Sequence, residues 1–352
     1  MIRILIVDDS VAIRGFLRKT ITEHTGMEIV AAATNGVQAI EDYKTHKPDL
    51  VIMDCEMPKM DGLTALQEIL KIDPSARIMM CSSLTQDNAK ITIKALEIGA
   101  VDYIGKPTTS SIFSTPEAFQ KELIEKITSL CGKMPTPKTS ISATSLLSGH
   151  FSLRPIPSLF HKADIIAIGS STGGLQALFS VLTPLKNRLN IPVVITQHMP
   201  PSFTKMLGIH IFEKTGIPTH EAQEGMLIEN GHIYIAPGGF HLELRRDQDQ
   251  VRAHLSDAPP ENFCRPAVDP MFRSLNKVYG KNILAVILTG MGSDGLEGAR
   301  ILIDQNSPNI LIAQDEETST VWGMPGAVAK ANLCHAVLPV QHIGDKILTY
   351  LR

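Results

Sequence analysis

Three short stretches carry residue types suited to acyl transfer: a hydroxyl nucleophile, an imidazole base and a carboxylate. The first is Gly169-Ser170-Ser171-Thr172-Gly173, which follows the apolar run Asp164-Ile165-Ile166-Ala167-Ile168. Leu175, Leu178, Phe179 and Leu182 after it have helical spacing, so the stretch reads as a G-x-S-x-G bend between a strand and a helix. Glycines on both sides of Ser171 relieve crowding, and a helix start behind it supplies unpaired N–H groups that favour developing negative charge. Alone the pattern is weak, because small-residue turns also serve tight packing and phosphate binding. The bend centre favours Ser171, with Ser170 as a second hydroxyl beside it.

Two other strand ends add partners. The buried run Ile191 to Thr196 stops at Gln197-His198, just before Met199-Pro200-Pro201. A second run, Ile283 to Leu288, leads into Thr289-Gly290-Met291-Gly292-Ser293-Asp294-Gly295. In an open parallel sheet all strand C-termini open on one edge, where Ser171, His198 and Asp294 are able to converge as nucleophile, general base and orienting carboxylate. Their chain order, Ser, His, Asp, differs from the Ser, Asp, His of α/β-hydrolases, which argues against that fold. His241, after Ala236-Pro237-Gly238-Gly239-Phe240, is a rival base, although loop histidines are mostly surface polar groups. His210, His220, His232 and His254 lack metal-ligand spacing. Asp269 reads as a cap for a helix beginning near Pro270.

The first third of the chain carries a different chemistry. Arg3 to Val7 closes on Asp8-Asp9, Leu50 to Met53 closes on Asp54, Ile78 to Cys81 ends at Ser82-Ser83, and Val101 to Gly105 ends at Lys106-Pro107. A single strand-end Asp is most often a helix cap. Three carboxylates at one edge repel one another unless a hard cation sits among them, and Mg²⁺ takes few carboxylates while keeping water and phosphate oxygens. A hydroxyl and a lysine completing that edge suit a phosphoryl group.

Both sets of residues need parallel sheets to position them. Strands alternate with helical stretches throughout, which predicts an α/β chain of two doubly wound parallel-sheet domains. Ala118 to Leu130 reads as the last helix of the first domain. The Ser-, Thr- and Pro-rich run that follows reads as a flexible linker, giving domains at 1–130 and 162–352 with a linker at 131–161. At 352 residues the chain is long enough for two cores, since domains run on the order of 100 to 200 residues. Its 33 basic and 36 acidic residues give a formal charge of -3, which leaves no polybasic footprint for nucleic acid. The five cysteines, Cys55, Cys81, Cys131, Cys264 and Cys334, form no C-x-x-C pair. No stretch has the length and apolarity of a membrane span, and the expected compartment is the cytoplasm.

Asp8-Asp9, Asp54, Met57-Pro58-x-Met60-Asp61-Gly62, Ser82 and Lys106-Pro107 resemble the receiver domain of two-component response regulators, a flavodoxin-like fold. The resemblance implies that Asp54 accepts a phosphoryl group from a CheA-type histidine kinase and that Asp8, Asp9 and Asp54 hold Mg²⁺. It also implies that Lys106 pairs with the phosphoryl group, that Ser82 and Tyr103 move in the switch, and that Lys106-Pro107 is a cis peptide. Ile168 to Gly174, Gln197 to Pro201, Leu288 to Gly295, Gln314-Asp315-Glu316 and Trp322-Gly323-Met324-Pro325 together resemble the CheB family of chemotaxis protein-glutamate methylesterases and glutaminases. That resemblance implies a Rossmann-like catalytic domain with Ser171, His198 and Asp294 as triad and the Met291 N–H, with the nucleophile turn, at the oxyanion. It implies no cofactor in the esterase site, with methyl-accepting chemoreceptors as substrate and a receiver that restrains the esterase until phosphorylated. Ser170, where some relatives have alanine, and Gly326, where some have a basic residue, depart from the pattern. A phosphorylation-controlled binding module with an inactive hydrolase fold is the competing reading, and the intact Ser171, His198 and Asp294 argue against it.

Overall fold

The computed structural model describes residues 1–83, 85–106, 116–132, 151–304 and 307–351, and divides into two compact units near Pro137. The first alternates β1 (Ile2–Val7), α1 (Val11–Thr22), β2 (Met27–Ala33), α2 (Gly36–His46), β3 (Leu50–Asp54), α3 (Gly62–Ile72), β4 (Ile78–Ser82), α4 (Gln86–Ile98), β5 (Asp102–Gly105) and α5 (Pro116–Cys131). Its five strands are parallel in the order β2-β1-β3-β4-β5, and β3 and β4 are buried along their whole length. Burial on both faces explains why these strands read as unbroken apolar runs. Asp54 and Ser82 are the last residues of β3 and β4, while Asp8 and Lys106 follow β1 and β5 directly.

The second unit has a sheet of seven parallel strands in the order β14-β13-β12-β6-β7-β9-β8. They are β6 (Ile165–Ser170), β7 (Val193–Gln197), β8 (Thr219–Glu221), β9 (Ile233–Ile235), β12 (Ile283–Ile287), β13 (Ile310–Gln314) and β14 (Ala336–Leu338). Helices α6 (Gly174–Leu182), α7 (Pro201–Thr215), α8 (Val268–Val278), α9 (Leu296–Leu302), α10 (Met324–Lys330) and α11 (Val340–Leu348) connect them, and β10 (His241–Asp247) and β11 (Gln250–Ser256) form a separate antiparallel hairpin. The chain winds outward through β7 on one side of β6 and returns through β12 on the other. The strand order therefore reverses at β6, which makes the β6/β12 edge the place where an open α/β sheet binds ligands.

The doubly wound α/β expectation describes both units. The three-residue strands β8 and β14 had too few residues to give a sequence signal, and the seven-residue strands of the β10–β11 hairpin were not anticipated. Part of the expected linker, 133–150, and the expected cis bond at Pro107 lie outside the described residues. The rest of that linker is not loose. Ser152 N–H donates to Asn332 Oδ1 at 2.7 Å, Arg154 N–H to the Cys334 carbonyl at 2.8 Å, and the Arg154 guanidinium to the Ile303 carbonyl at 3.0 Å. Phe160 packs edge-on against Tyr350 with ring centroids 5.4 Å apart. Residues 151–161 thus attach to the second unit through these anchors, while Leu153, Ile156 and Leu159 remain exposed.

Candidate active site and phosphoacceptor site

The bend after β6 is held from both neighbouring strands. Ser171 N–H donates to the Thr289 carbonyl at 3.0 Å, and Gln197 Nε2 donates to the Ser171 carbonyl at 2.9 Å. Gly173 has φ 74°, a left-handed conformation that a side chain disfavours, and a Cβ there would collide with Thr320. Ser170 and Ser171 have different surroundings. Ser170 is fully buried, and its hydroxyl donates to Gln197 Oε1 at 2.5 Å. Ser171 is half-buried, and its hydroxyl makes no hydrogen bond among the described residues. Ser170 is thus committed to bracing the bend, whereas the Ser171 hydroxyl is uncommitted.

His198 follows β7, and Asp294 lies in the turn between β12 and α9. Register puts Gly169 level with both Thr196 and Ile287, so the three strand ends meet at one edge. His198 Nε2 lies 2.7 Å from Asp294 Oδ2, with the two side chains 12% and 1% exposed. Such a buried carboxylate needs several donors. It has them: the N–H groups of Val268 (2.6 Å), Gly295 (2.9 Å) and Asp269 (3.2 Å), and Asn262 Nδ2 at 3.1 Å. Two of these donors open α8, whose N-terminus favours a negative charge. Burial alone would raise the Asp294 pKa, but the His198 contact and those N–H groups hold it below the ordinary carboxylate value. Its neighbour Asp269 goes the other way, pushed up to about 6 by burial and by the Asp294 charge against the Gly298 N–H and Asn262 donors.

His198 is raised as well. Burial favours the neutral ring, yet Cys264 and Asp294 together push the group up to about 10. Cys264 Sγ lies 3.4 Å from His198 Nδ1, a contact that sequence spacing gave no means to find. Asn262, which also donates to Asp269 Oδ2 at 3.0 Å, was equally invisible. Both come from the turn between β11 and α8, far in sequence from His198 and without a motif.

Three expectations change. His241 is fully buried at the start of β10, with Nε2 3.1 Å from the Pro259 carbonyl and Nδ1 accepting from Ala267 N–H at 3.1 Å, so it is a structural strut and not a surface group. Asp269 does not cap its own helix. α8 starts at Val268 after Ala267, and the Asp269 carboxylate accepts instead from Gly298 N–H of α9 at 2.6 Å. The nucleophile turn, expected to offer N–H groups to the oxyanion, does not offer that of Ser171, which already donates to the Thr289 carbonyl. The Met291 N–H, in the turn after β12, has no acceptor among the described residues.

In the first unit Lys106 Nζ lies 2.7 Å from Asp54 Oδ2 and 2.9 Å from Asp8 Oδ2. Asp8 and Asp54 are buried, Asp9 is exposed, and ligand atoms of all three lie within 4.8 Å of one another. Asp8 Oδ2 is buried without an aligned hydrogen bond, an acceptor suited to a hard cation, so the residues present fit Mg²⁺. Burial, with the Asp8 charge adding to it, raises the Asp54 pKa against the opposing pull of Lys106. Burial lowers Lys106, yet the two carboxylates overcome that and raise it. Ser82 is fully buried with its hydroxyl on the Ser83 carbonyl at 3.2 Å. Tyr103 is buried under the Lys126 ammonium, 5.2 Å from its ring centroid.

Comparison with known proteins gives concordant matches for the two units. The family model "CheB methylesterase" matches residues 166–347, and "Response regulator receiver domain" matches residues 4–114. The chain is 43% identical to protein-glutamate methylesterase/protein-glutamine glutaminase 1 of Rhodospirillum rubrum, over 99% of this chain and 94% of that protein. It is also 43% identical to the protein-glutamate methylesterase/protein-glutamine glutaminase of Azospirillum brasilense, over 98% of this chain and 92% of that one. The crystal structure of the Thermotoga maritima CheB methylesterase catalytic domain superposes with a TM-score of 0.51 at 37% identity, covering 53% of this chain and 98% of that domain.

Proposed function

Because the chain belongs to the CheB methylesterase family, with a response-regulator receiver domain ahead of its catalytic domain, we propose that Ser171 is the nucleophile of a protein-glutamate methylesterase and glutaminase. His198 serves as its general base and Asp294 as the carboxylate that orients and stabilises the imidazolium. The substrate is a methylated glutamate of a methyl-accepting chemoreceptor. Ser171 Oγ bonds to the γ-carbonyl carbon as its proton passes to His198. The oxyanion meets the Met291 N–H, and loss of one such donor typically costs about 10² to 10³ in rate. His198 returns the proton to the departing methoxy group, methanol leaves, and water repeats the attack on the acyl-enzyme. A receptor glutamine treated in the same way releases ammonia.

The observation that carries this reading is the hydrogen-bonded His198–Asp294 pair on the same sheet edge as an uncommitted Ser171 hydroxyl. Methanol release from methylated receptor membranes tests it. Wild type should release methanol and Ser171→Ala should not, and a folded Ser171→Ala that keeps full turnover overturns the assignment.

We further propose that Asp54 accepts a phosphoryl group from a histidine kinase and that this relieves a restraint on the esterase. Asp8, Asp9 and Asp54 would hold Mg²⁺, which supplies positive charge against the carboxylates and the phosphoryl oxygens. Lys106, paired with Asp54 in the structure, would follow a phosphoryl group there, and Ser82 and Tyr103 would respond in the switch. The domain limits proposed with this reading are 1–130 for the receiver and 162–352 for the catalytic domain, with residues 151–161 anchored on the latter. No helix among the described residues is long and apolar enough to cross a membrane.

A further inference from the structure

His198 is held from two sides. One ring nitrogen is on Asp294 and the other on the Cys264 thiol, while the Ser171 hydroxyl has no partner among the described residues. A serine hydrolase uses one nitrogen for its carboxylate and the other for its serine. Here the second nitrogen is already taken.

The thiol is delivered by a tightly fixed turn. Glu261 and Cys264 exchange backbone hydrogen bonds at 3.1 and 2.8 Å. Between them Asn262 and Phe263 have φ 51° and 64°, a region unfavourable for a phenylalanine that persists only where the surroundings impose it. Those surroundings are present. Glu261 Oε2 accepts from the Arg273 guanidinium of α8 at 2.9 Å, Arg265 donates to the Asp257 and Ala258 carbonyls at 2.7 and 3.0 Å, and Asn262 bridges Asp269 and Asp294.

We propose that Cys264 is a positioning residue of the esterase: its thiol holds the His198 nitrogen that Ser171 needs, and hydrolysis proceeds from the molecules in which that contact is given up. The inference rests on the reading of Ser171 as nucleophile. Only the released fraction is competent, so apparent activity is the intrinsic activity scaled by that fraction. In those molecules the Ser171 proton moves to the freed nitrogen as Oγ bonds to the carbonyl carbon, with no redox step. The groups facing His198 are Asp294, from the β12–α9 turn, and Cys264, from the β11–α8 turn. Asp269 of α8 lies behind Asp294 across the Asn262 amide. When the ring is protonated its N–H donates to the Cys264 sulfur; with that sulfur removed, one of the two influences that raise His198 is gone and the base becomes available at lower pH.

The test uses the full-length chain and methanol release from methylated receptor membranes, with kcat and KM separated across pH. Cys264→Ala should raise kcat about threefold or more at unchanged KM, and its pH–rate midpoint should fall below that of wild type. Cys264→Ser keeps a hydroxyl donor and should lie between the two, which preserves the test if the alanine variant fails to fold. In ¹⁵N-labelled protein the His198 ring-nitrogen shifts should change in Cys264→Ala. An unchanged or lower kcat together with an unmoved midpoint, in whichever variant folds, overturns the proposal. Full turnover by Ser171→Ala sinks the underlying reading instead, and the two failures are distinguishable.

Discussion

The two units place their chemistry at the same point of the same kind of sheet and treat charge in opposite ways. In the receiver, Asp8, Asp9 and Asp54 crowd one edge with Lys106 as their direct countercharge, and a buried Asp8 oxygen lacks an aligned donor. In the catalytic domain the single ionised Asp294 is met by three backbone N–H groups, an amide and an imidazole. The first site is left electrostatically incomplete within the fold, as the proposed binding of a cation and a phosphoryl group requires. In the second the carboxylate is fully partnered within the fold, so the imidazole it holds is oriented before anything binds. The proposed phosphorylation switch and the proposed hydrolase thus differ in how far the fold itself satisfies their buried charge.

The sharpest way to break that contrast is at the nucleophile. Ser171→Ala should lower methanol release about 10⁴-fold or more, the order seen when a serine hydrolase loses its serine. Ser170→Ala loses only the Gln197 brace and should stay within about tenfold of wild type, as expected for a residue acting through position. An equal loss in a folded Ser170→Ala would exchange the two roles.

Asp294→Asn comes next, with a turnover loss of about 10³ to 10⁴, because an amide favours the wrong imidazole tautomer and does not stabilise the imidazolium. Circular dichroism should remain native. Near wild-type turnover would remove Asp294 from the machinery and leave the preorganised site without its anchor.

On the receiver side the effect should be smaller, since coupling between sites is typically about 5- to 150-fold. Wild type given Mg²⁺ and a small-molecule phosphodonor should accelerate within that range, and Asp54→Asn should not respond. A chain beginning at Phe151, which keeps the Ser152 and Arg154 anchors, should match or exceed the activated rate. A folded but slower fragment would mean that the receiver assists the esterase and does not restrain it.

The smallest effect is on stability against pH. His198 is raised in the folded chain from 6.5 to about 10, because Cys264 and Asp294 outweigh the opposing effect of burial. Its contribution to stability is therefore fully present below about pH 6.5 and is lost as pH rises through about 10. Urea denaturation of wild type should show this decline between those limits, and His198→Gln should lack it. A parallel profile in the two proteins would show that the imidazole is not raised. The same shift puts the wild-type pH–rate midpoint on the alkaline side of an ordinary histidine.

Much of this molecule was determined by local sequence. Strand-end residues such as Asp54, Lys106, Ser171 and His198 follow buried apolar runs, and burial on both faces makes those runs easy to read. A bend flanked by glycines and a strand ending in a carboxylate are local facts, so the α/β class and the main candidates were legible. Other features depended on strand order and on side-chain reach. Ser170 and Ser171 are equivalent on paper and diverge only because Gln197, one strand away, takes the Ser170 hydroxyl. His241 reads as a loop histidine, yet the turn before α8 folds over it and supplies both partners. Residues 151–161 have a linker's composition, but their backbone N–H groups and the Arg154 guanidinium find acceptors some 150 to 180 positions later. Asn262 and Cys264 carry no motif because their role is set by contacts at distances of 32 and 66 residues along the chain. Sequence determined what each strand end could do, because a backbone's apolar pattern and turn chemistry act over a few residues. Tertiary structure decided which groups met, because a hydrogen bond acts over about 3 Å of space irrespective of separation along the chain.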